Sequence, residues 1–407
     1  MAGNKDYGKV LYHCRNNGSL KFNYHKIMNS TKSQIVAPHA ENRALEPVNV
    51  IIYLIATLLV VGIIMVYSTS SAKFLNGEST HNLVFIKHIL WVTFAFLGML
   101  IMMRIEYHFW QKYSNVIFGI AIICLVAVLI PGVGSVINGA RRWIRFSSYF
   151  GVQPSEFAKL AMIIFVSSYV AKNQDKMQDF VKGFVFPLVI IGGVSLLVLI
   201  EPDFGTTLFI MFISLILMIV GGTRIVYFIF ILMAAVPFIY ESIHKIKPYQ
   251  MKRIMVFLDP WRDPQGDGYQ IVQSWITLGS GGVSGLGLGE GRQKLFFLPV
   301  SNSDFIFSVI GEEFGFIGTS SVIIMFALLS WYGIKVSKLA PDMFGSLLAL
   351  GITLAIALQS AMNIAVVTGA IPTTGIPLPF ISTGGSSLFL SLLGMGILLS
   401  IAKQSKS

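Results

Sequence analysis

About ten apolar runs, each roughly 17–25 residues long, punctuate this chain of 407 residues. They fall near 48–68, 83–103, 114–131, 153–171, 184–200, 206–222, 224–241, 304–331, 345–369 and 386–402. A run of that length crosses the hydrocarbon of a bilayer as one helix, and lipid offers the backbone no hydrogen-bonding partner. Such a chain has few folds open to it. The expectation is an all-α polytopic membrane protein of about ten transmembrane helices, with a large extracytoplasmic loop between helices 7 and 8. Charged residues make up only 12%, about half the share of a soluble protein. The expected organisation is a basic cytoplasmic tail over 1–46, a membrane domain over 47–403 containing the loop at 242–303, and a short cytoplasmic tail over 404–407.

Residues 1–46 carry seven Lys and Arg and no early apolar segment, so they read as a basic tail near anionic headgroups rather than a signal peptide. With an even number of spans both termini share a side. A cytoplasmic N-terminus puts 17 of the 30 Lys and Arg inside and 13 outside, in keeping with the positive-inside rule. Two places break that bias. One is Arg141, Arg142 and Arg145 before span four. The other is the long loop, with Lys245, Lys247, Lys252, Arg253, Arg262, Arg292 and Lys294. Either an anionic ligand is met there, or the loops cross regardless of charge.

Several chemistries are disfavoured. Cys14 and Cys124 give no disulfide framework. The seven histidines form no pair at metal-ligand spacing, so no metal site or Ser-His-Asp triad is expected. Glycines at 279, 281, 282, 285, 287, 289 and 291 match neither a dinucleotide nor a P-loop pattern; they suit tight turns, with a phosphate-cradling nest as the alternative. No nucleic-acid motif accompanies the net charge of +11. No matching pair of broken helices marks a secondary transporter.

Four polar stretches remain. Gln153-Pro154-Ser155-Glu156-Phe157-Ala158-Lys159 opens span four; Glu156 and Lys159 share a helix face, as a structural ion pair or a buried charge relay. In Glu201-Pro202-Asp203-Phe204-Gly205-Thr206, Asp203 either caps the next helix or joins an outer site. Asp304 opens span eight, with Ser308 and Glu312 at four-residue steps behind it. It is either a cap favoured by the helix dipole or a desolvated carboxylate suited to general-base work. Residues 371–387 hold three prolines and cannot form a regular helix, so they must lie buried or line a cavity.

Seven ordered motifs together resemble the SEDS family of membrane peptidoglycan glycosyltransferases: GARRWI (139–144), QPSEFAKL (153–160), EPDFGT (201–206), DPWRDPQGDGYQ (259–270), GLGLGEGRQKLFFLP (285–299), DFIFSVIGEEFGFIG (304–318) and LPFISTGGSSL (378–388). The resemblance covers about 48–402. MVYSTSS at 65–71 and the basic tail favour the division-type branch. The resemblance implies a polymerase of lipid II acting at the outer face of the cytoplasmic (inner) membrane, at the division septum. It implies a class B penicillin-binding protein as partner, alongside other divisome membrane proteins. It places the essential loop aspartate on Asp304, the span-four pair on Glu156 and Lys159, and the PDxG aspartate on Asp203. Where the family has an acid and a histidine before that aspartate, this chain has Val300 and Asn302.

The implied reaction has Asp304 as general base. Arg142, Arg253 and Lys294 meet the charge developing on the lipid pyrophosphate. Glu156, Lys159 and Asp203 orient the base or the headgroup. A divalent cation, Mg or Mn, can assist such chemistry, although no ligand set is legible. A lipid II flippase would use the same groove without forming a glycosidic bond, an elongation-type polymerase would run the same chemistry at the side wall, and a noncatalytic scaffold would leave Asp304 idle.

Overall fold

The computed structural model describes residues 39–74, 81–137, 140–145, 151–233, 255–266, 268–291 and 303–405. The chain divides into two compact units, Met1–Asn42 and Arg43–Ser407, and the second holds the elements that matter for function. The longer helices are α1 (His39–Phe74), α2 (His81–Met102), α3 (Ser114–Leu129), α4 (Pro154–Lys172), α5 (Phe186–Ile200), α6 (Phe204–Val220), α7 (225–233), α8 (Tyr269–Ser280), α9 (Ile306–Leu339), α10 (Met343–Val367) and α11 (Gly385–Gln404). Among the described residues, six are long and apolar enough to cross a membrane, and α3 and α6 are shorter apolar helices. The expected seventh span, 224–241, runs outside the described residues after 233.

Their arrangement follows from where the apolar side chains point. Tyr53, Ile123, Val189, Phe230 and Trp331 lie exposed on the outside, as a lipid-facing wall requires. Helix α4 is the opposite case. It is buried at almost every position from Pro154 to Val170, and it packs against α3, α5, α6, α10 and α11. A helix buried on every side belongs in the middle of a bundle, and the polar residues on it, Glu156 and Lys159 among them, are buried with it. Pro154 starts α4 in its first turn, where a missing N–H costs nothing.

Three features depart from the expectation. The protein is not wholly helical: β1 (Gly134–Ile137), β2 (Ala140–Arg145) and β3 (Gly151–Val152) form a small antiparallel sheet in the order β1-β2-β3. The register pairs Gly134 with Ile144 and Ile144 with Val152. The longest strand, β2, has no alternating burial along Ala140–Arg145, so it lacks the two-residue period that marks a strand in sequence. The stretch read as a loop contains α8, whose residues Ile271, Val272, Ser274 and Thr277 are buried and which packs on α9. Finally, α9 is broken: Gly315 sits at φ 65°, ψ −159° within it.

The break is closed by the glycine-rich segment after α8. Leu286 and Gly287 donate their N–H groups to the carbonyls of Glu312 and Glu313 at 2.9 and 3.0 Å. Phe316 and Ile317 donate back to the carbonyls of Gly282 and Val283 at 2.9 and 3.2 Å. Four groups stranded by the broken helix thus find partners. So close an approach leaves no room for side chains. A Cβ on Gly285 would lie 2.2 Å from the Glu313 carbonyl oxygen, and one on Gly281 would lie 1.8 Å from that of Gly311.

Candidate active site

Asp304 occupies the turn just before α9, which begins at Ile306 rather than at Asp304 itself. Its carboxylate is partly buried, and its Oδ1 accepts from the Ser303 hydroxyl at 2.9 Å. Burial holds the carboxyl above the ordinary carboxylate range, with the Ser303 hydrogen bond opposing the rise. The proline-rich segment forms the other wall. A Cβ on Gly375, at φ 72°, would sit 3.8 Å from Asp304 Oδ2. The Ser382 hydroxyl donates to the Ser303 carbonyl at 2.7 Å and accepts from the Leu378 N–H at 2.9 Å. Ser308 does not continue a face with Asp304; it meets Ser274 at 2.7 Å, behind the site.

Helix α10 ties this turn to the interior. The Asn363 amide donates to the carbonyls of Asp304 and Ile376, each at 2.8 Å. One turn earlier, Gln359 donates to the Pro377 carbonyl at 3.1 Å and to the Ser387 hydroxyl at 3.0 Å. Its own oxygen accepts from Lys159 at 3.3 Å. Lys159 pairs with Glu156 at 2.8 Å and lies 4.7 Å from the centre of the Phe209 ring. A small cavity of about 40 Å³ opens among Glu156, Lys159, Phe209, Gln359 and Ser391. The span-four pair therefore reaches Asp304 only through α10. The sequence signal for that link was two amides four residues apart in an apolar run, and the sequence reading passed over it.

Asp203 caps α6. Its Oδ1 accepts from the Thr206 N–H at 3.1 Å and its Oδ2 from the Thr206 hydroxyl at 3.0 Å. Gln153, which precedes α4, adds a bond to Oδ2 at 3.1 Å. The following turn abuts the proline-rich segment, because a Cβ on Gly205 would meet Ile376 at 3.1 Å and Thr374 at 3.3 Å. Arg142, on β2, donates through Nε to the Glu201 carbonyl at 2.9 Å and through its terminal nitrogen to the Pro202 carbonyl. The Glu201 side chain is fully buried, and neither carboxyl oxygen has a hydrogen-bond partner. Burial, then the nearby Asp203 charge, pushes its pKa up to about 8 against the pull of Arg142.

The structure thus brings Asp304, Asp203, Glu156 and Lys159 around the proline-rich segment, with Arg142 of β2 clamping the turn beside Asp203. Arg253 and Lys294, and with them Val300 and Asn302, lie outside the described residues. Among the described residues, no group of three or more His, Cys, Asp or Glu is placed to hold a metal ion.

This arrangement has relatives. The family described as cell cycle protein, spanning FtsW, RodA and SpoVE, matches residues 49–407. The probable peptidoglycan glycosyltransferase FtsW of Geobacter sp. (strain M18) is 42% identical over 88% of this chain and 98% of its own length. Stage V sporulation protein E of Bacillus subtilis (strain 168) is 42% identical over 86% of this chain and 95% of that protein. Among solved structures, a protein from a peptidoglycan synthase complex that coordinates polymerization and crosslinking superposes with a TM-score of 0.72 at 25% identity, over 87% of this chain and 97% of that one. The rod shape determining protein RodA of Thermus thermophilus shares the fold at a TM-score of 0.64 and 21% identity, over 88% and 97%.

Proposed function

The chain belongs to the FtsW/RodA/SpoVE family of cell cycle proteins, and we propose that it works as a division-type peptidoglycan glycosyltransferase with Asp304 as general base. It is a multi-pass membrane protein. Glycosyl transfer is the activity named for relatives at about 42% identity over most of the chain. The observation that carries the role of Asp304 is its placement. A half-enclosed carboxylate stands at the head of a long apolar helix, fixed by Ser303 at its side chain and by Asn363 at its backbone.

The substrate is lipid II, whose polyprenyl tail stays in the bilayer while its sugar headgroup stays in water. Asp304 removes the proton from the 4-hydroxyl of the acceptor N-acetylglucosamine. That oxygen attacks the anomeric carbon of the donor N-acetylmuramic acid, the bond to the pyrophosphate breaks, and the lipid pyrophosphate leaves. One displacement inverts the α-linked donor to a β-glycosidic product. The Arg142 guanidinium has five N–H donors, so clamping the Glu201–Pro202 turn leaves capacity for a phosphate oxygen. Arg253 and Lys294 are proposed to serve the same developing charge. Whether Mg or Mn assists is answered by running the assay with a chelator.

Ten spans, both termini cytoplasmic and the 242–303 segment outside complete the proposed topology. The charge distribution supports that orientation. The proposed partner is a class B penicillin-binding protein that crosslinks the strands, with other divisome membrane proteins around it at the septum. The similarity to a component of a synthase complex supports such a partner.

The test is polymerisation of purified lipid II by the protein reconstituted with that partner, wild type beside Asp304→Ala. Glycan strands from the wild type alone support the assignment. Strands from both remove Asp304 as the base. Translocated lipid II without strands, from folded protein, supports transport instead.

A further inference from the structure

Resting on the polymerase reading, we infer that Gln359 and Asn363 are positioning residues, an amide pair on α10 that sets the Asp304 turn and the proline-rich segment against each other for glycosyl transfer. The two lie four residues apart, on one face of α10. Asn363 spans the site: its Nδ2 holds the carbonyl of Asp304 and that of Ile376. Gln359 holds Pro377 and Ser387 while accepting from Lys159. Two neighbouring carbonyls of the proline-rich segment, at 376 and 377, are therefore fixed from one helix, and the same helix fixes the backbone of the base.

The orientation of the Asn363 amide is determined. Turned over, its oxygen would face two carbonyl oxygens, so the nitrogen must point at the site. Its oxygen then faces away, and it has no partner although the residue is only 1% exposed. A buried acceptor without a partner is destabilising, so an apolar residue such as Leu would serve the helix better. The Glu156–Lys159 pair is a weak source of stability for the same kind of reason, since desolvating two charges offsets their attraction. Stability alone does not account for a row of polar groups running from α4 through α10 to Asp304. Fixing a general base does, because displacement of a reacting group by about 1 Å can cost about a hundredfold in rate.

The experiment measures polymerisation rate against lipid II concentration for the full-length protein with its partner. Asn363→Leu removes both donors at similar volume without turning an oxygen toward the two carbonyls. Gln359→Glu keeps an acceptor for Lys159 but removes the donors to Pro377 and Ser387. Ser360→Ala is the control, a buried hydroxyl that bonds only within its own helix, to Ala357 at 2.9 Å. The expected result is a kcat lowered about 10- to 100-fold in Asn363→Leu and Gln359→Glu, with KM within about twofold of wild type, an unchanged unfolding temperature in at least Asn363→Leu, and a normal control. Unchanged kcat overturns the inference. So does a loss that appears in KM alone, or one that merely follows the amount of folded protein across all the variants. A wild type that folds but makes no strands sinks the polymerase reading itself, a result distinct from any of these.

Discussion

Arg142 Nε donates to the main-chain carbonyl of Glu201 at 2.9 Å, across 59 residues of sequence. A charged donor on a short hairpin thereby fixes the turn that carries Asp203. Removing it should loosen both. Arg142→Met is expected to cost about 1.5–3 kcal/mol, the range for a hydrogen bond to a charged group, and to lower polymerisation. Arg142→Lys should recover little, because an ammonium cannot reproduce the fork geometry. Thermal unfolding of the purified variants checks the first part, and the strand assay the second.

The side chain of Glu201 gives a pH prediction of its own. Its pKa stands at about 8 in the fold against an ordinary 4.5. Between those values the folded protein holds a proton that the unfolded chain has released. Stability therefore falls as pH rises through that window and stays low above it. Glu201→Gln, which copies the neutral acid, should flatten this dependence and unfold at higher temperature than wild type above pH 8. Melting curves across that range decide the matter, and a parallel decline in both proteins would exclude Glu201 as its source.

Glu156 and Lys159 are both nearly buried and 2.8 Å apart. Taking away one partner strands a charge in the bundle. Lys159→Met is expected to cost about 3–5 kcal/mol, while the double variant Glu156→Leu with Lys159→Met should cost less than Lys159→Met alone. Comparing unfolding free energies of the two single variants and the double one measures the coupling.

These residues also show what a sequence exposes. Glu156 and Lys159 were readable as a pair because helical spacing alone puts positions three apart on one face. Asp304 was readable because a lone acid heading an apolar run is rare. The partners of Asn363 and Gln359 were not readable. Ile376 and Pro377 reach them only through the turn between α10 and α11, whose path no local rule dictates. The glycines from 281 to 289 gave turns correctly in kind, yet their facing of a broken helix depends on two segments meeting in space. The hairpin bearing Arg142 was missed because its longest strand, ARRWIR, does not alternate between buried and exposed positions. The ten-span count stays an expectation, since the described residues contain six clear spans and the seventh run continues beyond them.

Asp304 must be ionised to accept a proton. Burial holds its carboxyl above the ordinary range while the Ser303 hydroxyl pulls it back. Polymerisation should therefore fall as pH drops through that raised value, with the acid limb above where an exposed aspartate would put it. Ser303→Ala removes the opposing hydrogen bond, so its acid limb should move to higher pH. A pH–rate profile of the two proteins shows the shift, and a shift toward lower pH would contradict the assigned base.

The broken helix yields the sharpest steric prediction. Gly315 and Gly285 both adopt positive φ, 65° and 83°. Their backbones touch, so a Cβ on Gly315 would lie 2.4 Å from the Gly285 nitrogen. Alanine at either position meets two obstacles together. Positive φ is itself strained for a residue with a Cβ, and at Gly315 the accompanying ψ of −159° makes a region essentially closed to all but glycine; backbone atoms, unlike the end of a flexible side chain, have little freedom to move aside. The four hydrogen bonds between 282–287 and 312–317 would have to lengthen or break. Glu312 and Glu313 sit inside that stitched region, more than two turns along from Asp304, so the same helix that follows the base would be disturbed. Gly285→Ala and Gly315→Ala are expected to destabilise by several kcal/mol and to lose most polymerisation. Gly289→Ala separates the two obstacles. It shares the positive φ, at 86°, but its Cβ would meet nothing within 4 Å, so only the conformational cost applies. Hydrogen exchange over 281–291 and 311–317, read beside the strand assay, should show both segments opening together in the first two variants and staying protected in the third.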